Sequence, residues 1–299
     1  MMSIALTDWL AAIRLRTLPL AISSVWCGAL LAELNGYGDS TILYWSIFTA
    51  VSLQIFSNLA NDYGDACNGA DHHGRQGPPR MVAAGRISAK AMRGALWLFG
   101  LVCCSCGLYL LAQALPNLNA ALGTWLGWIV LGAGCLAAAF YYTAGNRPYG
   151  YRGLGDGAVF LFFGLIGVLG TEYLHAGLLN QDSWMAAAGL GLWCSMVLNL
   201  NNMRDIESDL AAEKYTLAAR LGLPCAKAYH SLMALFAWLL WWAWLPLGQG
   251  YLIIFSGVAT MWHLYWLYSD HTLFTLDKLL PQWSLTVLAW VALLWLMCV

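Results

Sequence analysis

Two segments of the chain combine Asp and Asn residues at helical spacing, each at the polar end of a long apolar stretch. The first segment contains Asn58, Asn61, Asp62 and Asp65 and continues to Asp71. Residues three, four or seven positions apart share one face of an α-helix, so the side chains at positions 58, 62 and 65 are expected on one face. Stacked like charges repel each other, which indicates that a cation neutralises them.

The second segment has the same character. Asn201, Asp205 and Asp209 lie at i, i+4 and i+8, again one face of a helix, and Asn202 follows the first of them. Mg²⁺ prefers oxygen ligands of this kind, and substrate phosphates usually complete its coordination shell. The two segments together predict a pair of Mg²⁺ sites that share a diphosphate.

Basic residues accompany both segments. Arg80, Lys214 and Arg220 lie in the polar loops that begin with them and are candidates to pair with phosphate oxygens. Metal ions and cationic side chains that stabilise the charge of a leaving diphosphate allow a C–O bond to ionise. The predicted chemistry is therefore ionisation of a substrate diphosphate at a membrane surface.

A third segment, residues 141–156, mixes four tyrosines with Arg147, Arg152 and Asp156. Aromatic faces beside cations suit a planar anionic substrate, or a carbocation that develops during a reaction. An aromatic belt at the membrane interface, anchored by arginines, explains the same composition. The residues alone leave both interpretations open.

The elements that must position these residues are membrane-spanning helices. The chain is 61% hydrophobic and 10% charged, whereas soluble domains carry about 25% charged residues. Apolar stretches long enough to cross a bilayer recur along the sequence. Nine are expected to span it: Leu18–Leu34, Ile42–Ala60, Ala91–Ala112, Ala120–Tyr142, Gly157–Ala176, Trp184–Leu200, Tyr229–Leu247, Tyr251–Tyr268 and Trp283–Val299.

The distribution of charge predicts an orientation. All fourteen Lys and Arg residues fall in the amino-terminal segment or after even-numbered spans, which places the amino terminus and both acidic segments in the cytoplasm and the carboxyl terminus outside. The longest polar loops are expected from about Asp65 to Ile87 and from about Arg204 to Lys227. No Ser- or Pro-rich linker divides the chain, so residues 1–299 are expected to form a single membrane domain.

Three alternatives compete with the diphosphate chemistry. The acidic residues at helix ends could simply be solvated. A transporter could use them to bind a cation, although transporters usually keep ionisable residues near the middle of the bilayer. A membrane phosphotransferase for nucleotide-linked lipids also uses clustered Asp and Mg²⁺, but its Asp-Gly and Ala-Arg frame is not supplied by residues 62–71.

The acidic motifs resemble those of the intramembrane aromatic prenyltransferases, the superfamily that includes ubiquinone- and menaquinone-pathway enzymes. The resemblance spans most of the chain and is closest to the menaquinone-pathway branch, in residues 58–65, 142–151, 201–205 and 214–222. The ubiquinone branch usually carries Tyr-Pro-x-x-Lys-Arg after the fourth span. Thr143 and Asn146 replace the Pro and the Lys here.

The resemblance implies an all-α bundle of about nine transmembrane helices around a central cavity, which opens to the cytoplasmic side of a bacterial inner membrane. It implies Mg²⁺-dependent transfer of a polyprenyl group from polyprenyl diphosphate to 1,4-dihydroxy-2-naphthoate, with loss of CO₂, giving demethylmenaquinone. Another aromatic acceptor, such as 4-hydroxybenzoate or homogentisate, is the alternative. The lipid bilayer is the expected surrounding, no nucleic-acid partner is expected, and the oligomeric state is open.

The resemblance also implies roles for individual residues. The Mg²⁺ ligands would be Asp62, Asp65, Asp205 and Asp209. The shell around them would be extended by Asn58, Asn61, Asn201 and Asn202. Phosphate contacts would come from Arg80, Lys214 and Arg220, and the residues near the naphthoate would be Tyr142, Arg147 and Asp156. Asp71 would be a further metal ligand, a base or a residue that orders its loop.

Overall fold

The computed structural model describes residues 5–69, 77–245, 249–269 and 273–299, without the side chains of residues 273 and 274. Asp71, one of the predicted site residues, lies outside these ranges. The described residues form eleven helices, which we number in chain order: α1 (Leu6–Ile13), α2 (Leu18–Leu34), α3 (Ser40–Cys67), α4 (Ala89–Asn117), α5 (Leu122–Tyr141), α6 (Gly155–Ala176), α7 (Ser183–Arg204), α8 (Ile206–Ala211), α9 (Leu217–Trp244), α10 (Gly250–Ser269) and α11 (Leu273–Cys298).

Most of these helices have the length and composition of membrane spans. Within the described residues, eight helical segments qualify: α1 with α2, then α3, α4, α5, α6, α7, α9 and α11. The remaining expected span, Tyr251–Tyr268, coincides with α10, whose Tyr, Trp and His residues make it less apolar. The prediction of an all-α, polytopic membrane protein is confirmed.

Helix α2 packs against both halves of the bundle, which are α3 to α5 and α6 to α11. It packs against α3, and also against α6, α7 and α11. α3, α4 and α5 pack against one another, while α7 packs against α6, α9 and α11. Helices α2 to α6 surround an apolar cavity, because all five contribute side chains to its wall.

A hydrophobic core joins α7, α9 and α11 around Trp193. The rings of Trp241, Trp283 and Trp290 lie 5.6, 5.8 and 5.8 Å from its ring, between centroids. Such large aromatic side chains contribute much apolar burial and prefer tilted or edge-to-face contacts. This core holds the helix that carries the second acidic segment against the carboxyl-terminal helix.

Side-chain caps fix where several helices begin. Asp39 accepts hydrogen bonds from the backbone N–H groups of Thr41 and Ile42 at 2.7 and 3.1 Å, at the start of α3. Ser88 and Thr216 cap α4 and α9 in the same way. Caps satisfy N–H groups that have no partner within the helix. The cap at Asp39 therefore fixes the start of α3, the helix that carries the first acidic segment.

The second long loop is shorter than predicted. The sequence suggested a polar loop from about Arg204 to Lys227, yet α9 already begins at Leu217 and contains Lys227. The apolar pattern missed this start because the helix is kinked at Gly222, where φ is +73°. Lys227 is buried in the helix and donates to the carbonyl oxygen of Leu267 at 2.7 Å.

The second acidic segment is also not one continuous helix. Asp205 adopts φ −97° and ψ 11°, and separates α7 from α8. Backbone hydrogen bonds still run from Asp205 N–H to the Asn201 carbonyl (3.1 Å) and from Asp209 N–H to the Asp205 carbonyl (2.8 Å). The expected single helical face is thus bent at Asp205, and Asp209 lies on the short helix that follows.

Helix α6 contains a wide π-helical segment, Phe160–Leu169. The hydroxyl of Ser24 on α2 donates to the carbonyl oxygen of Phe163, and Thr171 donates to the Gly167 carbonyl at 2.8 Å. Segments of this kind occur frequently at functional sites. Here the segment supplies part of the cavity wall.

Candidate functional site

Two adjoining cavities lie within the bundle. The apolar cavity, of about 430 Å³, lies among helices α2 to α6. The polar cavity, of about 170 Å³, lies where α3, α7 and the amino-terminal turn meet. Gln54, Ser57, Ala139 and Phe163 belong to the walls of both. A molecule with a charged head and an apolar tail could therefore occupy the two together.

The polar cavity gathers many of the residues that the sequence predicted. The predicted residues in its wall are Asn58, Asn61, Asp65, Arg80, Tyr142, Asn201, Asn202 and Lys214. Apart from Tyr142, they come from the two acidic segments and the loops that follow them, about 140 positions apart in the chain, so the fold brings the two segments together. Their roles stay predictions.

Asp65 is buried, with 1% of its surface exposed. One carboxylate oxygen accepts a hydrogen bond from Arg80 Nη2 at 2.7 Å, and the other accepts from the Tyr151 hydroxyl at 2.8 Å. Charge-assisted hydrogen bonds of this length are among the strongest in proteins. Asp65 is therefore held firmly at the cavity wall and is neutralised by a cation.

Asp62 serves a different local purpose. Its two oxygens accept from the backbone N–H groups of Met81 and Val82, both at 2.9 Å. The carboxylate thereby anchors the turn that carries Arg80. Between the two aspartates, Gly64 has no room for a side chain, since an added Cβ would lie 2.7 Å from the carbonyl carbon of Thr143.

Asp205 is paired with its neighbour in the chain. Arg204 binds both carboxylate oxygens, through Nε at 2.7 Å and Nη2 at 2.8 Å, and also donates to Asn201 Oδ1 at 2.9 Å. Its remaining terminal nitrogen, Nη1, donates to Asp277 on α11 at 2.7 Å. The backbone at Gly77 lies directly against this guanidinium group, where a Cβ would be 2.5 Å from Nη2.

Asp209 closes the second segment. Its carboxylate lies 3.5 Å from Lys214 Nζ and accepts from the Thr216 hydroxyl at 3.4 Å. Lys214 also lies over the ring of Tyr151, with Nζ 5.4 Å from the centroid. Since Tyr151 donates to Asp65, the two acidic segments are linked through one tyrosine.

Two arginines from the amino-terminal turn complete the wall of the polar cavity. Arg14 and Arg16 both line it. Arg14 has a positive φ of 56°, an uncommon conformation for a residue other than glycine. Asn58 holds this turn, donating to the Ile13 carbonyl at 2.7 Å and to the Thr17 hydroxyl at 3.0 Å. Asn58, which is predicted to bind substrate, therefore also supports the turn that carries Arg14 and Arg16.

Two tyrosines contribute aromatic surface to the wall, in addition to Phe163. The rings of Tyr142 and Tyr149 pack edge to face, with centroids 5.3 Å apart. The Tyr149 hydroxyl donates to the Ala138 carbonyl at 2.9 Å. Burial, with a smaller contribution from Cys135, raises the pKa of Tyr149 to about 12. This hydroxyl is therefore protonated, and a donor, at neutral pH.

Six predicted residues of the described ranges are not part of the polar cavity wall: Asp62, Asp205 and Asp209, whose contacts are given above, and Arg147, Arg220 and Asp156. Arg147 is exposed. Arg220 is also exposed and donates to the carbonyl oxygens of Tyr215 and Arg152, at 3.0 and 3.1 Å, so it braces a loop. Asp156 is buried, and its Oδ1 atom has no hydrogen-bond partner among the described residues.

The residues present fit a Mg²⁺ ion that is shared with a phosphate group. Among the described residues, no three Asp, Glu, His or Cys side chains form a ready-made metal site. Buried carboxylates are nevertheless available from α3 and from the junction of α7 and α8. Because Mg²⁺ usually binds through one or two carboxylates together with substrate phosphates, a complete protein cage is not required.

Several residues in or next to the polar cavity wall were not predicted from the sequence as site candidates. Arg14 and Arg16 were interpreted only as markers of membrane orientation. Gln54 precedes Asn58 by one helical turn and donates to it at 3.2 Å, so its polar side chain within an apolar stretch was an available signal. Asp277 had no such signal, because its partners are distant in the chain.

The sequence is similar to those of known prenyltransferases. It is 43% identical to the 1,4-dihydroxy-2-naphthoate octaprenyltransferase of Escherichia coli (strain K12) over 75% of this chain and 71% of that one. It is 40% identical to the enzyme of the same name from Haemophilus influenzae over 75% and 72%. UbiA prenyltransferase domain-containing protein 1 of Dictyostelium discoideum is 29% identical over 75% and 66%.

The fold is that of solved structures with little sequence identity. A UbiA homolog from Archaeoglobus fulgidus, solved with GPP and Mg²⁺ bound, superimposes with a TM-score of 0.61 at 11% identity, covering 94% of this chain and 99% of that one. A digeranylgeranylglyceryl phosphate synthase gives a TM-score of 0.55 at 14% identity, over 97% and 96%. The sequence model of the UbiA prenyltransferase family matches residues 20–291. The chain belongs to the UbiA prenyltransferase family.

Proposed function

We propose that this protein transfers a polyprenyl group from polyprenyl diphosphate to 1,4-dihydroxy-2-naphthoate in the pathway to menaquinone. The proposal is carried by one observation, the polar and apolar cavities that share a wall. A polyprenyl diphosphate has the matching form, with a strongly anionic head and a long apolar tail. The names of the bacterial relatives support the naphthoate as acceptor.

The polar cavity suits the diphosphate because four cationic side chains contribute to its wall. They are Arg14, Arg16, Arg80 and Lys214. Arginine presents a planar fork to phosphate oxygens, while lysine acts as a compact point charge. Arg80 and Lys214 pair with carboxylates. On binding, the diphosphate would take over part of this pairing.

Mg²⁺ would be held by Asp62, Asp65, Asp205 and Asp209, with the neighbouring asparagines extending the shell. When bound, it would supply positive charge that stabilises the leaving group. The coordination need not be preassembled, since the substrate itself supplies ligands. The hydrogen bonds of Asp62 to the backbone of Met81 and Val82 indicate that this residue also positions the turn that carries Arg80.

The apolar cavity suits the tail. Its wall consists largely of apolar side chains, with small contributions from Ser and Thr hydroxyls. Transfer of a hydrocarbon chain to such a wall is favourable because it removes apolar surface from contact with polar groups and water. Burying the allylic carbon at the shared wall would also keep water from the carbocation.

The chemistry at the acceptor balances without a general base. The C–O bond of the prenyl diphosphate breaks and pyrophosphate leaves with the electron pair. The naphthoate ring carbon that bears the carboxylate then forms the new C–C bond. Loss of CO₂ returns an electron pair to the ring, so no ring proton must be removed. Since no oxidant takes part, the immediate product is the reduced form of demethylmenaquinone.

The protein's own groups would hold the acceptor and exclude water. Tyr142 and Tyr149 offer aromatic surface beside the shared wall, which suits both a planar naphthoate and a developing cation. The distribution of Lys and Arg supports an orientation with this site on the cytoplasmic side. By analogy with the bacterial relatives, the membrane would be the inner membrane.

The test is turnover by detergent-solubilised protein with 1,4-dihydroxy-2-naphthoate and octaprenyl diphosphate, first with Mg²⁺ and then with excess EDTA. We expect prenylated naphthalenediol and CO₂ in equal amounts, and only with Mg²⁺. Activity with 4-hydroxybenzoate or homogentisate, but not with the naphthoate, would contradict the acceptor and preserve the reaction class. Folded protein that is inactive with every acceptor would contradict the proposal as a whole.

A further inference from the structure

Asp277, near the start of α11, connects the carboxyl-terminal helix to Arg16, a residue of the polar cavity wall. Its Oδ1 atom accepts from Arg204 Nη1 at 2.7 Å and from Arg16 Nη1 at 2.9 Å. Arg16 belongs to the cavity wall, and Arg204 binds both oxygens of Asp205. One carboxylate therefore joins the amino-terminal turn, the second acidic segment and the last helix.

Because Arg204 is buried, its charge and its N–H groups need partners within the protein. The side chain of Arg204 is 1% exposed, while that of Asp277 is 40% exposed. Asp205 alone would neutralise the charge, but it leaves Nη1 pointing away from it. Asp277 provides the acceptor on that side.

The balance of charge in this cluster also supports a role for Asp277. Arg16 and Arg204 contribute two positive charges, and Asp205 and Asp277 contribute two negative charges. If the charge on Asp277 is removed, the cluster becomes net positive. Asp205 would then face an excess of positive charge, which opposes the approach of a divalent cation. Its paired arginine would also lose the contact that fixes its orientation.

We infer that Asp277 is a positioning residue, which holds Arg204 on Asp205 and Arg16 in the cavity wall so that a Mg²⁺–diphosphate complex can bind. This inference rests on the proposed function. A carboxylate has about four lone-pair positions, so Asp205 can accept an arginine fork and also coordinate a cation. Asp277 acts through its two arginines and takes no part in the bond changes.

The test uses purified protein in detergent and the variants Asp277→Asn and Asp277→Glu. The first readout is the apparent unfolding temperature during a titration with MgCl₂ in the presence of inorganic pyrophosphate. Loss of groups that orient metal ligands typically weakens metal binding by about 10- to 100-fold. We expect Asp277→Asn to raise the Mg²⁺ concentration at half-maximal stabilisation by roughly tenfold. Asp277→Glu keeps the charge at an exposed position and is expected to recover most of the loss.

The second readout is steady-state kinetics at saturating Mg²⁺. Displacement of Arg16 should raise the KM for polyprenyl diphosphate, while kcat changes much less. Asp182→Asn is the matched control, because it removes one exposed carboxylate at the opposite end of the helix that ends with Arg204. Its Mg²⁺ titration and its KM should equal those of the unchanged protein.

The outcomes are separable. A lower unfolding temperature for Asp277→Asn with an unchanged Mg²⁺ midpoint and KM would make Asp277 a purely structural residue and overturn the inference. An Asp277→Glu variant that binds no better than Asp277→Asn would also overturn it. If the unchanged protein shows neither Mg²⁺–pyrophosphate stabilisation nor turnover, the proposed function fails, and the inference fails with it.

Discussion

At the scale of single residues, the carboxylates in and next to the polar cavity wall already have cationic or N–H partners. Asp65 pairs with Arg80, Asp205 with Arg204 and Asp209 with Lys214. Unpaired buried carboxylates would carry a large desolvation cost. The pairs balance these buried charges, and we propose that Arg80 and Lys214 also bind the diphosphate.

The charge of Asp65 is the feature of the site that can be tested most directly. Asp65→Asn keeps the size of the side chain and an acceptor for Tyr151, but removes the charge that faces Arg80 and that we propose to bind Mg²⁺. We expect turnover to fall by at least about 100-fold, the scale seen when a group that stabilises transition-state charge is lost. Initial rates, together with thermal unfolding in detergent, check this.

Glu207→Gln is the control for that experiment. Glu207 is exposed and belongs to the same acidic segment as Asp205, so it matches the chemical change without touching the cavity wall. We expect near-normal activity. Folded Asp65→Asn protein with near-normal activity would remove Asp65 from the mechanism.

At the scale of elements, short turns hold the cations of the polar cavity in place. The turn that contains Arg14 and Arg16 depends on Asn58, and the turn that contains Arg80 depends on Asp62. In both cases a side chain on α3 satisfies backbone or hydroxyl groups of a neighbouring segment. α3 therefore positions more of the site than its own acidic residues.

The amino-terminal turn can be tested through Asn58. Asn58→Ala removes hydrogen bonds to Ile13 and Thr17, each of which contributes about 1 kcal/mol. Loosening this turn should lower the unfolding temperature and raise the KM for polyprenyl diphosphate several-fold, with a smaller effect on kcat. Asn35→Ala also loses one hydrogen bond to a backbone carbonyl, at the end of α2, and should leave KM unchanged. An equal change in KM for both variants would contradict the role of the turn.

The approach of α3 to the segment after α5 can be tested through Gly64. An added Cβ would lie 2.6 Å from Thr143 Oγ1 and 2.7 Å from its carbonyl carbon, so Gly64→Ala must displace residues 142–144. We expect lower thermal stability and a higher KM for the naphthoate.

Gly94→Ala is the control, because no atom lies within 4 Å of the added methyl group. An exposed helical Gly→Ala change should be neutral or stabilising by up to about 1 kcal/mol. If Gly64→Ala behaves in the same way as Gly94→Ala, the close contact does not matter for the site.

At the scale of the whole molecule, the two cavities separate charge from hydrocarbon within one bundle. The polar cavity lies where the two halves meet, and the apolar cavity extends among α2 to α6. The wall of the apolar cavity includes Gly132 on α5, whose added Cβ would meet no atom within 4 Å. This glycine is a place where the available volume can be reduced without a steric clash in the core.

Gly132→Phe should therefore change the preference for prenyl chain length. If the tail occupies the apolar cavity, the ratio of kcat/KM for octaprenyl to that for geranyl diphosphate should fall at least several-fold. Gly134→Phe is matched, since Gly134 lies on the same helix, has equally open surroundings and does not line the cavity. An unchanged ratio in Gly132→Phe, with folded protein, would place the tail elsewhere.

The class of the protein and much of the candidate site can be predicted from the linear sequence. Membrane helices follow from composition, because about 20 apolar residues cross the bilayer whatever the neighbouring helices do. The shared face of Asn58, Asp62 and Asp65 follows from helical periodicity, and it is present in α3. These features depend on local spacing, which a linear sequence records directly.

Other features were decided by the tertiary structure. The bend at Asp205, the early start of α9 and the contact of Asp277 with Arg204, 73 positions earlier in the chain, depend on how distant segments pack. The same is true of Arg14 and Arg16, which local pattern marks only as basic residues before a span. Ion pairs and cavity walls depend on distances between helices, and periodicity along one helix contains no information about those distances.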